Sequence, residues 1–253
     1  MVIDMTAYFG SWPYWKGPVT QPDQLLSLMD ENGIDRAAVC SLRGIFDDWE
    51  VGNEEVLELA SAHPKRFIPF MTFGLDSFIG AVPTDLVIDL LRKYKKAGVR
   101  GLRLFPQHQG YPLNGDYRAE PVLAEAAKLG MIFMVHFRMI MNWGMAMYPV
   151  AEIAKFAGRY PQAKVVICGV NGEWEEAATA MKKHANLLLE TSCLQYVGKV
   201  AFFTQEFGVE RVLFGSGIPL QYPHCGLIKI TKAKITDQQR RDILGGNAQR
   251  LLA

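Results

Sequence analysis

Net charge of either sign is nearly absent from this sequence. Lys and Arg number 27 and Asp and Glu 26, which leaves +1. That balance offers no basic face to nucleic acid or to an anionic membrane surface. Cysteine is also scarce. The four present, Cys40, Cys168, Cys193 and Cys225, form no CxxC pair. Their wide spacing argues against a zinc knuckle or a disulfide framework. No apolar stretch approaches the roughly 18–20 residues of a membrane span. The opening MVIDMTAYFG has no basic segment leading into an apolar one. No secretory signal is expected, and the chain reads as reduced and cytoplasmic. No GxGxxG follows the first apolar run, so a dinucleotide site has no support, and no GxSxG marks a serine elbow.

What is present is regular alternation. Eight short apolar runs occupy residues 2–8, 37–42, 67–73, 101–105, 132–137, 165–169, 187–192 and 211–216. Segments with helical spacing lie between them, among them 24–32, 54–62, 84–97, 120–129 and 173–184. Thr20 before Pro22 and Asp23 reads as a helix start, and Thr236 with Gln239 as a capping box. Gly33, Gly98 and Gly130 stand where helix ends need a left-handed residue. Continuous apolar strands alternating with helices imply a parallel sheet covered by helices. Eight such units in 253 residues predict an α/β fold, a single-domain (β/α)8 barrel over residues 1–253, in preference to an open sheet.

In such a barrel the site lies at the carboxyl ends of the strands. The first strand places Asp4, Thr6 and Tyr8 there, on one face because strand side chains alternate. The second supplies Ser41 and Arg43, and the fourth Arg103, then Gln107 and His108. The fifth supplies His136 and Arg138, the seventh Glu190 and Ser192, and the eighth Ser216, followed by Tyr222 and His224. An inward arginine must be compensated, because a lone buried charge is costly. Asp4 is the expected partner of Arg103 if the role is structural. If it is functional, Arg103 clamps a substrate carboxylate with its bidentate fork. Trp12, Trp15, Trp143 and the methionines of MIMNWGMAMY (139–148) would line an adaptable apolar wall.

The sequence resembles the amidohydrolase-2 family of the amidohydrolase superfamily. The resemblance rests on IDMTAYFG at 3–10, AHPKRFIPF at 62–70, GVRGLRLFPQHQGYPL at 98–113 and KLGMIFMVHFR at 128–138. It continues through YPQAKVVICG at 160–169, VERVLFGSGIPL at 209–220 and ITDQQRRDILGGNAQRLL at 235–252. It implies the barrel fold, and metal-dependent hydrolysis or non-oxidative decarboxylation of small cyclic, aromatic or carboxylated substrates. It also implies an HxH metal pair on the first strand, where this chain has Thr6 and Tyr8. The family's strand-6 histidine falls near Gly169 and its strand-8 aspartate at Gly217, while the strand-5 histidine is kept as His136. This is the pattern of a divergent branch. One imidazole is too few for a zinc site, which takes three protein ligands even when catalytic.

The expectation is therefore a metal-independent hydrolase or lyase for a small anionic substrate of lactone or enol type, with no cofactor. His136 would move a proton or donate to substrate, and Arg103 or Arg138 would hold a carboxylate or oxyanion. Thr6, Tyr8, Arg43, His108, Trp143, Glu190 and His224 are the expected substrate-binding residues. Two other readings stand beside it. One is a catalytically inactive barrel kept as a ligand-binding or scaffold subunit. The other is a displaced metal site built from His108, His136, Glu190 or His224. No nucleic acid or membrane is expected as a partner, and family habit with aromatic loops points to a homodimer.

Overall fold

The computed structural model describes residues 1–13, 21–77, 80–138 and 147–253. Eight strands follow one another around the sheet in chain order, all parallel: β1 (Ile3–Phe9), β2 (Arg36–Ser41), β3 (Phe67–Met71), β4 (Gly101–Leu104), β5 (Ile132–His136), β6 (Val165–Cys168), β7 (Leu187–Glu190) and β8 (Val212–Leu213). Two backbone bonds close the ring. Met5 N donates to Phe214 O at 3.0 Å and Tyr8 N to Ile218 O at 2.7 Å. The fold is the expected (β/α)8 barrel. A small antiparallel pair, Asp76–Ser77 with Gly80–Ala81, follows β3.

Two apolar layers hold this shape. Inside the ring Ile3, Met5, Ile68, Phe70, Met134, Val166, Leu188 and Leu213 pack together. Outside it Leu102, Leu104, Phe133, Val135, Val165, Ile167 and Leu189 meet the helices. The opposite parities of those two sets on one strand are why the runs read as continuously apolar. The helices present matching stripes. In α4 (Thr84–Lys96) Val87, Leu91 and Tyr94 are buried, while Lys93, Lys95 and Lys96 lie at the carboxyl end, where the helix dipole favours cations.

Some boundaries differ from the sequence reading. Helix α1 is Pro22–Glu31, and Gln24 Oε1 accepts from Gln21 N at 3.1 Å; Thr20 lies outside the described residues. Helix α3 runs over Trp49–Ala62, starting earlier than 54, because the Asp48 side chain accepts from Val51 N. The Thr236–Gln239 capping box is present. The eighth strand is confined to Val212–Leu213 rather than 211–216. Phe214 leaves the β7 ladder, donating to Ile243 O and accepting from Met5 N, and so becomes the seam of the barrel.

Candidate functional site at the carboxyl ends of the strands

β1 carries an irregularity that sets the site. Asp4 pairs with Ala37 but Ala7 with Val39, so three steps on β1 match two on β2. The extra residue reverses the parity. Ile3 and Met5 face the interior below it, and Tyr8 faces the interior above it, among Cys40, Phe105 and Cys193. The expectation that Asp4, Thr6 and Tyr8 share one face by alternation is therefore corrected. Asp4 accepts from Thr6 N (2.9 Å), from Ser216 N (3.0 Å) and from the Ser216 hydroxyl, tying β1 to the chain after β8. Burial raises its affinity for a proton, and these hydrogen bonds oppose that effect.

Arg103 on β4 is fully buried. Its Nη1 donates to Ala7 O at 2.6 Å and its Nε to His136 Nε2 at 3.1 Å, while Nη2 has no hydrogen-bond partner among the described residues. The guanidinium lies 4.2 Å from the centre of the Tyr8 ring, close enough for a cation–π contact. The expected Arg103–Asp4 ion pair is absent: Asp4 spends its oxygens on Thr6 and Ser216, and Arg103 turns to Ala7 and His136. No described carboxylate comes within ion-pair distance of Arg103.

His136 ends β5 and is stacked on Phe105, with centroids 4.2 Å apart. Arginine is always a donor, so His136 Nε2 must carry the lone pair and Nδ1 the proton. Burial, then the Arg103 charge, then His108 hold the imidazole well below the usual histidine range. The ring is thus neutral, and its basic nitrogen is already engaged.

Glu190 ends β7 and is also fully buried. It accepts from the Thr6 hydroxyl at 3.1 Å, from Ser192 N, and from the Ser192 hydroxyl at 2.9 Å. Burial raises its affinity for a proton, opposed first by the Ser192 bonds and then by Lys229. Gly215 is required beneath it, because a Cβ there would fall 2.0 Å from Glu190 Oε1 and 2.1 Å from Thr6 Oγ1. Lys229, on α10 (Pro223–Thr231), holds the following turn by donating to Thr191 O (2.7 Å) and Ser192 O (2.6 Å). Sequence reading missed Lys229. A lysine on an amphipathic helix gives no signal that its amine will be drawn inward onto carbonyls.

The structure brings Thr6, Tyr8, Arg103, His136 and Glu190 together around the upper barrel and distributes the other expected residues elsewhere. Arg138 pairs with Glu173 at 3.0 Å and reaches Met147 Sδ at 2.5 Å, so its charge is compensated at the loop. Arg43 lies on α2 (Leu42–Phe46), is exposed, and pairs with Glu55 (3.1 Å) and Asp47 (3.5 Å). His108, on α5 (Pro106–Gln109), meets Phe46 edge-on at 5.2 Å, and burial lowers its proton affinity. His224 is exposed in the first turn of α10. Trp143, Trp15 and most of the methionine segment lie outside the described residues.

Among the described residues the donor set at this site does not fit a resident divalent metal. His136 Nε2 faces a guanidinium, and the Thr6 hydroxyl is committed to Glu190. Gly169 and Gly217 have no side chain, and both hold positive φ, +85° and +75°. Among the described residues no group of three or more His, Cys, Asp or Glu side chains is placed to hold an ion. Among those residues, too, no helix is long and apolar enough to cross a membrane.

Fold and strand-end chemistry together define a parallel (β/α)8 barrel whose buried polar groups gather at the carboxyl ends of its strands. The chain belongs to the amidohydrolase-2 family, whose model matches residues 18–253. Among solved structures it is similar to an uncharacterized TIM-barrel protein from Bordetella bronchiseptica at 19% identity, covering 99% of this chain and 98% of that one, with TM-score 0.74. It is also similar to 5-carboxyvanillate decarboxylase from Sphingomonas paucimobilis, at 16% identity, 99% and 98% coverage, and TM-score 0.74. A third is a probable 2-pyrone-4,6-dicarboxylic acid hydrolase from Acinetobacter baumannii with citric acid bound, at 13% identity, 99% and 98% coverage, and TM-score 0.71. No curated protein matches the sequence.

Proposed function

We propose that this protein is a metal-independent hydrolase or lyase acting on a small carboxylated cyclic or aromatic substrate, of lactone or enol type. One observation carries the reading. Among the described residues Arg103 is a fully buried cation without a carboxylate in ion-pair contact, and one of its nitrogens is unsatisfied at the end of the barrel where chemistry resides in this fold. A buried, unpaired charge is expensive unless something completes it. A substrate carboxylate or a developing oxyanion does so, and a preorganised donor in a dry site is the strongest kind of transition-state stabiliser. The similar structures named for decarboxylation of 5-carboxyvanillate and for hydrolysis of 2-pyrone-4,6-dicarboxylate support a carboxylated ring as the scaffold of the substrate.

The geometry modifies the expected division of labour. His136 accepts from Arg103, so it serves as a neutral ring that orients the guanidinium. It takes a proton at Nε2 only if Arg103 gives up that bond. Glu190, with its proton affinity raised by burial, is the group suited to exchange a proton with water or substrate. In lactone opening, water adds to the ring carbonyl and loses a proton to the base. The carbonyl oxygen carries the negative charge beside Arg103. The acyl–oxygen bond then breaks, and the ring oxygen leaves as an enolate or takes up the proton. An enolate is a good enough leaving group to need no Lewis acid.

Turnover of a panel of lactones and aromatic monocarboxylates, measured with elemental analysis before and after chelator treatment, tests this reading. Activity that survives the chelator and is lost in Arg103→Met supports it. Stoichiometric zinc or manganese with chelator-sensitive turnover overturns it. A second reading, a ligand-binding barrel without turnover, is favoured by Glu190 being saturated by Thr6 and Ser192. Carboxylate binding with no turnover across the panel would select it.

A further inference from the structure

We propose that the guanidinium of Arg103 stands in place of the family's divalent cation, and that its Nη2 edge seats one carboxylate or oxyanion of a singly charged ligand. This rests on the reading above that the site takes an anion, and it narrows that reading to a monoanion and to one atom.

The guanidinium is planar, and its Nε–H and Nη2–H point off the same edge. Nε is spent on His136, the one residue kept from the family's expected ligand set, so an acceptor on Nη2 lies directly beside the imidazole. The plane is fixed on three sides, by Ala7 O on Nη1, by His136 on Nε and by the Tyr8 ring beneath. A cation held this rigidly needs no reorganisation when charge arrives. A metal ion at His136 Nε2 would have to displace the same guanidinium and face its charge, so a divalent ion and Arg103 compete for one place rather than cooperate.

The surroundings limit the ligand to one negative charge. Besides Arg103, the titratable groups facing this region among the described residues are Asp4 and Tyr8 from β1, Cys40 from β2, His108 from α5, Cys168 from β6, and Glu190 and Cys193 from β7 and its following turn. None of these supplies a second cation. Lys229 has its amine on the Thr191 and Ser192 carbonyls, and its charge acts on Glu190 and Cys193. A second ligand carboxylate would therefore be buried among acidic and neutral groups without a cation of its own.

The test uses the full chain, chelator-treated and labelled with 15N-histidine, with benzoate as the monocarboxylate probe and phthalate as the dicarboxylate. Benzoate is expected to bind saturably and to shift the His136 ring resonances. Its affinity should fall at least about tenfold in Arg103→Lys, which keeps charge but loses the fork. Phthalate should bind at least about tenfold more weakly than benzoate. Added zinc should leave benzoate binding unchanged. Four results would each overturn the proposal: no saturable benzoate binding, undiminished binding in Arg103→Lys, binding that appears only with zinc, or phthalate binding as tightly as benzoate. The wild-type probes need no variant to fold. Benzoate binding at Arg103 with no turnover of any substrate would leave this inference standing and remove the catalytic one.

Discussion

Gly169 and Arg138 touch in a way that closes off one part of the upper barrel. A Cβ on Gly169 would lie 2.6 Å from the Arg138 carbonyl oxygen, and Gly169 holds φ at +85°. The end of β6 is therefore pressed against the chain leaving β5, in a backbone conformation that side chains rarely adopt. Gly169→Ala is expected to destabilise the fold by about 2–4 kcal/mol, from left-handed strain plus the clash. Thermal or urea unfolding reads this directly. A variant within about 0.5 kcal/mol of wild type would mean the contact is relaxed in solution. Gly169→His is expected to fail as a route to a metal site for the same reason.

Lys229 is expected to be a structural clamp on the turn after β7. Lys229→Met keeps the aliphatic bulk and leaves the carbonyls of Thr191 and Ser192 without their donor. The cost should be about 1–3 kcal/mol in unfolding free energy. Hydrogen exchange at Ser192 and Leu194 should quicken, while distant amides on β3 stay protected. Unchanged exchange at that turn would remove the clamp.

Asp4 joins the two ends of the barrel seam. In Asp4→Asn the amide can no longer accept from both the Ser216 amide and its hydroxyl while also receiving Thr6 N. A loss of about 1–3 kcal/mol is expected. It should be larger than that of Asp47→Asn, an exposed partner of Arg43 whose ion pair contributes little. Equal stability of the two variants would count against the seam.

The acid limb of stability should report His136. Its ordinary value is 6.5, and the folded protein holds it well lower, so below that pH the unfolded chain binds the proton and the folded one resists it. Stability from this group is whole above about 6.5 and falls as the pH drops from there toward the folded value. Asp4 and Glu190 act in the opposite sense. Their folded values are raised, so their contribution declines as pH rises from about 4 through those values. Urea unfolding of wild type and His136→Gln between pH 4.5 and 8 separates the effects. The variant should lose the fall below 6.5, and an identical slope in both proteins would show that His136 titrates normally.

The barrel was legible because each of its cues is local. Apolar runs of strand length, helices with one apolar stripe, and the glycines Gly33, Gly98 and Gly130 at helix ends all act within a few residues. The inward placement of Arg103 was legible for the same reason, since strand parity is a local count, and that of His136 came from the family resemblance. Partners were harder. Asp4 was expected to meet Arg103, and the β1 irregularity between Asp4 and Ala7 turned it instead to Ser216, 212 positions away. Arg138 and Arg43 were expected at the site by strand position, but the next loop or helix supplied Glu173 and Glu55 to compensate them.

The sequence by itself determined the alternating pattern, the closed parallel barrel, and which residue types stand at the carboxyl ends of its strands. Periodicity and turn chemistry suffice for that, and both are written in neighbouring residues. Only the tertiary structure decided that Arg103 makes no ion pair with a described carboxylate, that His136 is a neutral ring whose basic nitrogen is already occupied, and that Glu190 is held by Thr6 and Ser192. A protonation state and an unsatisfied donor depend on ångström distances between strands far apart in the chain. They are set by how the eight strands close upon one another.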